Sequence, residues 1–247
     1  MKRRLRALGV VLAGGAVILG GLVFSFPVES AGCVGPSAFC TGSGVYLGHG
    51  FMLTNQHVAR MLSDESSFRV PAWKYTWHTL DAGVEETVFL DRDIELGVVK
   101  LKPSMLNLVG VGAPCLSTHP VKQGETLRVL SSVDGAFPPV PAVLVVSDAR
   151  PLMRLDPFPR GESPYSAMTI IATLSADQAT RVGPGSSGGP VVNEDGELVG
   201  LVWTGRGLGT GSPEVWITPV SSWLKQLQKA EIPEDVLQAV LDTRCRR

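Results

Sequence analysis

Gly185-Ser186-Ser187-Gly188-Gly189-Pro190, followed by Val191-Val192, is the stretch of this 247-residue chain on which its reading turns. Glycine on both sides of one serine lets the backbone bend sharply, so that the hydroxyl of Ser187 projects and its own N–H points the same way. The N–H groups of Gly185 and Ser187 would then converge on an oxygen that is gaining negative charge. Taken alone, the pattern fits an ordinary glycine-rich turn equally well. The rest of the chain has to decide between the two.

The histidines supply the first test. All four, His49, His57, His78 and His119, precede Ser187. Gly-x-Ser-x-Gly is also the nucleophile elbow of α/β-hydrolases, but those place their histidine after the serine, so chain order excludes that class. His57 sits in Met52-Leu53-Thr54-Asn55-Gln56-His57-Val58-Ala59, where an apolar strand ends and a short turn begins. That position puts an imidazole at a strand end, where a general base can meet a nucleophile.

Outward from these motifs the chain reads as strands and turns. It holds 28 glycines and 18 prolines, many for a helical protein. Short apolar runs at 45–47, 51–54, 85–90, 95–101, 126–130, 142–146, 168–172, 190–192, 198–204 and 215–218 predict strands. Gly48-His49-Gly50 marks a hairpin, and the proline-rich stretches 136–141 and 151–164 read as loops. The end of the chain differs. Residues 221–229, with Trp223, Leu224 and Leu227 on one face, predict a helix. A second helical stretch opens at Pro233 and carries Val236, Leu237, Val240 and Leu241.

Three motifs in order, Gly42-Ser43-Gly44-Val45, Leu53-Thr54-Asn55-Gln56-His57-Val58 and the Ser187 loop, resemble the trypsin/chymotrypsin superfamily of serine proteases, most closely its protease-Do (HtrA-like) branch. Asp195-Gly196-Glu197-Leu198-Val199-Gly200-Leu201 and the helix from Ser221 fit the same pattern, so the resemblance spans residues 36–229. It implies an all-β fold of two six-stranded antiparallel barrels with a C-terminal helix, and a site in the cleft between the barrels. Residues 31–125 would form the barrel that carries His57 and the acid, 126–220 the barrel that carries Ser187, and 221–247 a helical tail. The implied chemistry is acyl transfer to water, with Ser187 as nucleophile, His57 as base, and Gly185 and Ser187 as the oxyanion hole. That chemistry calls for no metal and no cofactor.

The acid that orients His57 has two candidates in Asp91-Arg92-Asp93-Ile94-Glu95-Leu96-Gly97-Val98-Val99-Lys100-Leu101. Asp93 is the usual residue type. Glu95 gives the better match to the family strand over the following six positions and is favoured, although its carboxylate sits one methylene farther out. The two differ by two residues, so strand alternation puts both on one side and does not choose. In many trypsin-like enzymes the residue before the nucleophile is an aspartate that pairs with a newly cut N-terminus. Ser186 has no charge for that, so activation by such a switch is not expected. By the same resemblance, Arg181 and Val182 would form the floor of the specificity pocket. Trp203, Thr204 and Gly205 would form one wall and Glu214 another part, with Arg181 and Glu214 able to neutralise each other. The 18 residues after Lys229 leave no room for a PDZ module.

The N-terminus reads as a targeting segment. Lys2, Arg3, Arg4 and Arg6 precede an apolar run over 7–24, with small residues before Ala31 where a signal peptidase could cut. Residues 1–30 are thus a signal peptide or, if retained, a membrane anchor, and the only expected contact with a membrane. Beyond them remain 18 basic and 22 acidic residues, a balance that does not favour nucleic acid as partner. Export allows disulfides among Cys33, Cys40, Cys115 and Cys245, with three pairings open, and their spacings match no zinc site. The expected partner is a protein or peptide substrate. The rival expectation is a catalytically weak pseudoprotease that binds proteins, should the acid be misplaced.

Overall fold

Residues 45–54 show how the first barrel begins. Continuous apolar runs, buried on both faces, fill β2 (Gly42–Gly48) and β3 (Phe51–Thr54), and the chain reverses through His49 and Gly50, at φ 53° and 83°. Two consecutive positive φ angles make the two-residue turn whose twist matches that of paired strands. The computed structural model describes residues 31–36, 40–71, 79–104, 106, 113–117, 119–134, 139–153, 166–206, 213–230 and 232–242. The expected targeting segment, His78, Cys245 and most of the proline-rich stretch 151–164 lie outside them.

Two closed six-stranded antiparallel barrels result, as the resemblance implied. The first adds β1 (Ala31–Pro36), β4 (Ser66–Pro71), β5 (Thr79–Asp91) and β6 (Leu96–Leu101) in the order β1-β2-β3-β6-β5-β4. The second comprises β7 (Thr126–Ser131), β8 (Val140–Met153), β9 (Ser166–Leu174), β10 (Pro190–Val192), β11 (Leu198–Arg206) and β12 (Glu214–Pro219) in the order β10-β11-β12-β9-β8-β7. Two strands have no counterpart in the sequence reading. β1 is Gly-rich and shows no alternation, β4 alternates only briefly through Phe68 and Val70, and the two pair with each other to close the barrel. β8 also runs through Pro141 and Pro151, residues read as loop.

Each barrel has its own apolar interior, Val34, Met52, Phe68 and Val99 in the first and Leu127, Leu144, Val191 and Ile217 in the second. A third cluster joins them. Trp223 and Leu227 from helix Val220–Lys229, and Val236 and Val240 from helix Glu234–Asp242, pack with Val45, Leu53 and Leu96 of the first barrel and Leu198 and Leu201 of the second. Burying an aromatic or branched aliphatic side chain contributes about 1.5–3 kcal/mol, so these helices are a brace holding the two barrels in register. Cys33 and Cys40 form a disulfide beside β1, and Cys115 is likewise disulfide-bonded. Among the described residues no helix is long and apolar enough to cross a membrane.

Candidate active site

His57 lies on a single helical turn, Gln56–Ala59, that follows β3 directly. The turn rests on Gly97 of β6, where a Cβ would collide with the Ala59 methyl group. That close approach brings the imidazole to the start of β6. There Nδ1 of His57 donates to Oε2 of Glu95 at 3.0 Å. The carboxylate side chain is 5% exposed and the imidazole 41%, so the pair has a buried acid and an accessible base. With Nδ1–H engaged, the neutral ring keeps Nε2 as its proton acceptor.

The structure brings Glu95, not Asp93, to the histidine. Residues 92–95 form a turn and β6 begins only at Leu96, so strand alternation does not govern this segment. The Asp91 carboxylate organises the turn by accepting the N–H groups of Asp93, at 2.8 Å, and Ile94, at 3.2 Å. Asp93 itself is exposed. Partial desolvation, and then the neighbouring Asp91 charge, push its carboxyl above the usual range.

Glu95 occupies the left-handed region, φ 51°, at a cost of about 1–2 kcal/mol for a residue with a Cβ. Its carbonyl accepts from Asn55 Nδ2 at 3.1 Å and from the Gln56 N–H at 3.2 Å. At about 1 kcal/mol for each such bond, the two together are of the size needed to hold that backbone. Asn55 has the N-cap position of the His57 turn but makes no side-chain cap, and its buried Oδ1 has no hydrogen-bond partner among the described residues. An asparagine before a short helical turn ordinarily caps it, so nothing local in the sequence signals this long-range bond.

The second barrel supplies the Ser187 loop. Gly185 and Gly188 have φ 88° and 85°, and a Cβ on Gly188 would strike the Ser43 carbonyl and Thr54 Oγ1. The peptide entering Gly185 is held by its carbonyl, since Pro184 O accepts the Asp134 N–H at 2.7 Å. The peptide entering Ser187 is held likewise by Gly189 N–H to Ser186 O at 2.9 Å. In a trans peptide N–H and C=O point opposite ways. Both N–H groups therefore face away from these anchors, and among the described residues neither donates a hydrogen bond. Ser187 Oγ donates to the Trp203 carbonyl at 3.1 Å, and among the described residues no hydrogen bond links it to His57.

A seam of hydroxyl groups ties this loop to the first barrel. Ser43 of β2 gives its N–H to Ser187 O and its Oγ to Gly185 O, each at 2.8 Å. The same Oγ accepts the Ser132 N–H at 2.9 Å, and the Ser43 carbonyl accepts Thr54 Oγ1 at 2.7 Å. Ser186 is buried. Its Oγ accepts from Ser131 Oγ at 2.9 Å and Gly183 N–H at 3.0 Å, and donates to Ser132 O at 3.2 Å. The sequence reading passed over Ser43, which lies between two motif glycines and looks like a spacer.

Of the expected pocket residues, Trp203, Thr204 and Gly205 lie on β11, paired with β12, which begins at Glu214. Val182 is part of the second-barrel interior. Arg181 is on an exposed turn and donates Nη1 to Pro141 O at 3.1 Å. Glu214 Oε2 accepts Trp216 Nε1 at 3.4 Å rather than meeting Arg181. The Trp216 ring lies 5.8 Å from that of Trp203, and beyond Trp203 β11 continues through exposed Thr204 and partly exposed Gly205. Among the described residues no cluster of His, Cys, Asp or Glu could hold a metal ion.

Two closed antiparallel barrels, with a histidine–carboxylate pair on one and a glycine-flanked serine on the other, are the architecture of the double-barrel peptidases. The chain belongs to the trypsin-like peptidase domain family, which it matches over residues 42–201. No curated protein matches it by sequence. Among solved structures it is similar to the active form of the Rv3671c protease from M. tuberculosis, at TM-score 0.62 and 16% identity over 84% of this chain and 83% of that one. It is also similar to the MamO protease domain from Magnetospirillum magneticum, at TM-score 0.57 and 19% identity over 83% and 99%. A serine endoprotease from Yersinia pestis gives TM-score 0.54 and 17% identity over 82% of this chain and 62% of that one.

Proposed function

We propose that this protein is an exported serine endopeptidase that works through an acyl-enzyme. The observation that carries the reading is the buried Glu95 carboxylate 3.0 Å from His57 Nδ1 in a chain that also presents the unspent N–H groups of Gly185 and Ser187. Glu95 holds the imidazole in the tautomer that accepts at Nε2 and stabilises the imidazolium once formed. His57 takes the Ser187 proton as Oγ attacks a peptide carbonyl, and the two N–H groups receive the oxyanion. The adduct collapses as the imidazolium gives its proton to the departing amine and the C–N bond breaks. Water, deprotonated by His57, then attacks the acyl-enzyme, and the proton returns to Ser187 Oγ as the acid leaves. For this the Ser187 hydroxyl has to leave the Trp203 carbonyl. Trp203, Thr204 and Gly205, with Glu214 beside Trp216, are the residues we assign to substrate binding; Val182 packs in the barrel interior and the Arg181 guanidinium donates to Pro141 O. Export is supported by the charged and apolar pattern of residues 1–30 and by the disulfide.

One observation favours the rival reading of a binding module: the Ser187 hydroxyl rests on a backbone carbonyl. Labelling with a fluorophosphonate, followed by peptide mapping, separates the two. A single adduct on Ser187 is expected. It should be abolished in Ser187→Ala and His57→Ala, slowed about 10⁴-fold in Glu95→Gln, and unaffected in Asp93→Asn. A folded protein that takes no adduct would be a binding module instead.

A further inference from the structure

We infer that Asn55 is a positioning residue for the proposed catalytic pair, acting through the backbone of Glu95; the inference rests on Glu95 being the acid that orients His57. Three observations lead to it. Asn55 is fully buried, yet it declines the capping bond that its position offers. Its Nδ2 reaches across to a carbonyl 40 residues away in sequence, that of Glu95. Its Oδ1 has no hydrogen-bond partner among the described residues, and an apolar side chain would avoid that penalty. A buried amide held at such a cost needs a compensating task, and the geometry shows one.

Glu95 is at positive φ without being glycine. Its ψ is set by the plane of the peptide that follows it, and that plane is fixed by two donors on its carbonyl, Asn55 Nδ2 and the Gln56 N–H. The second donor belongs to the residue just before His57, so one carbonyl oxygen ties the acid's backbone to the base's own helical turn. A glutamate has three side-chain torsions and would lose orientation on an extended backbone. Held left-handed, its carboxylate meets Nδ1 at 3.0 Å. Asn55 thus lets a longer acid serve where a shorter one is usual, touching neither the substrate nor the reacting atoms.

The test uses the full chain, the fluorophosphonate labelling rate, and the downfield proton NMR signal of a histidine Nδ1–H shared with a carboxylate. Asn55→Asp keeps the volume but removes the donor. It should slow labelling on the order of a hundredfold and shift or abolish the downfield signal. Because the effect runs through Glu95, the double variant Asn55→Asp/Glu95→Gln should label no more slowly than Glu95→Gln alone. Asn55→Ser, smaller and polar, repeats the comparison should the aspartate variant fold poorly, with thermal melts checking both. Labelling at the wild-type rate with the signal intact in the Asn55 variants, while Glu95→Gln is slow, overturns the inference and leaves the enzymatic reading standing. So do effects that multiply in the double variant, which would mark a separate structural role. Wild-type labelling in Glu95→Gln itself overturns the underlying assignment of the acid.

Discussion

The first barrel offers its half of the proposed site through two side chains, His57 and Glu95, beside a buried amide that bonds the left-handed glutamate's carbonyl. The second offers its half through backbone, with glycines that allow the path of the Ser187 loop and a seam of serines that fixes it. The halves should therefore fail differently. A fault on the first side disorders one carboxylate and spares the fold. A fault on the second disturbs the packing between the barrels, because the same hydrogen bonds that shape the loop also join the two halves of the molecule.

Substitutions in the Ser187 loop and in the seam that joins it to the first barrel sharpen this contrast most. Gly188→Ala adds a Cβ against the Ser43 carbonyl and Thr54 Oγ1 at a position with φ 85°. We expect a loss of about 4 kcal/mol or more, beyond the range of ordinary single substitutions, visible as a collapse of the thermal midpoint. Ser43→Ala is milder. It leaves the Gly185 carbonyl and the Ser132 N–H without the partner they share, costing roughly 2–4 kcal/mol for two buried groups. Urea unfolding should report that loss together with slower Ser187 labelling. If Ser43→Ala slowed labelling with no change in stability, the contrast between the halves would be wrong.

The smallest effect belongs to the first side. The Asp93 carboxyl is raised by partial desolvation and by Asp91, so the folded chain holds that proton at pH values where the unfolded chain has released it. Stability from this group is present below its ordinary range and is lost as pH rises through the raised value. Asp93→Asn should remove that slope and change stability at neutral pH by no more than about 0.5 kcal/mol. Chemical denaturation at acid and neutral pH measures it.

Much of this was legible in the chain. β2, β3, β6, β10 and β11 announce themselves as apolar runs, and the motif order around His57 and Ser187 carries the fold. What was hidden depends on distant partners. Ala31-Gly32-Cys33-Val34-Gly35-Pro36 looks like no strand until Ser66–Pro71 pairs with it. Asp93 and Glu95 could not be separated by alternation, because the chain there is a turn whose last residue has positive φ. Ser43 and Asn55 were visible as letters, but their bonds span 142 and 40 residues, and no local pattern encodes a contact of that reach. Counting back from Ser187 located Arg181 in sequence but not the direction in which its turn faces.

The hydroxyl seam has a further consequence, for the conditions the protein can endure. Where a loop of this kind is held by a carboxylate paired with an amino group, it loosens in alkali as the amine, with a pKa near 8, gives up its proton, and concentrated salt weakens it. Every group in the seam of Ser43, Thr54, Ser131, Ser132 and Ser186 is a hydroxyl or a peptide. Nothing in it can titrate between mild acid and strong base, and nothing in it carries a charge for ions to screen. The shape of the Ser187 loop is thereby insulated from the ionic makeup of its surroundings.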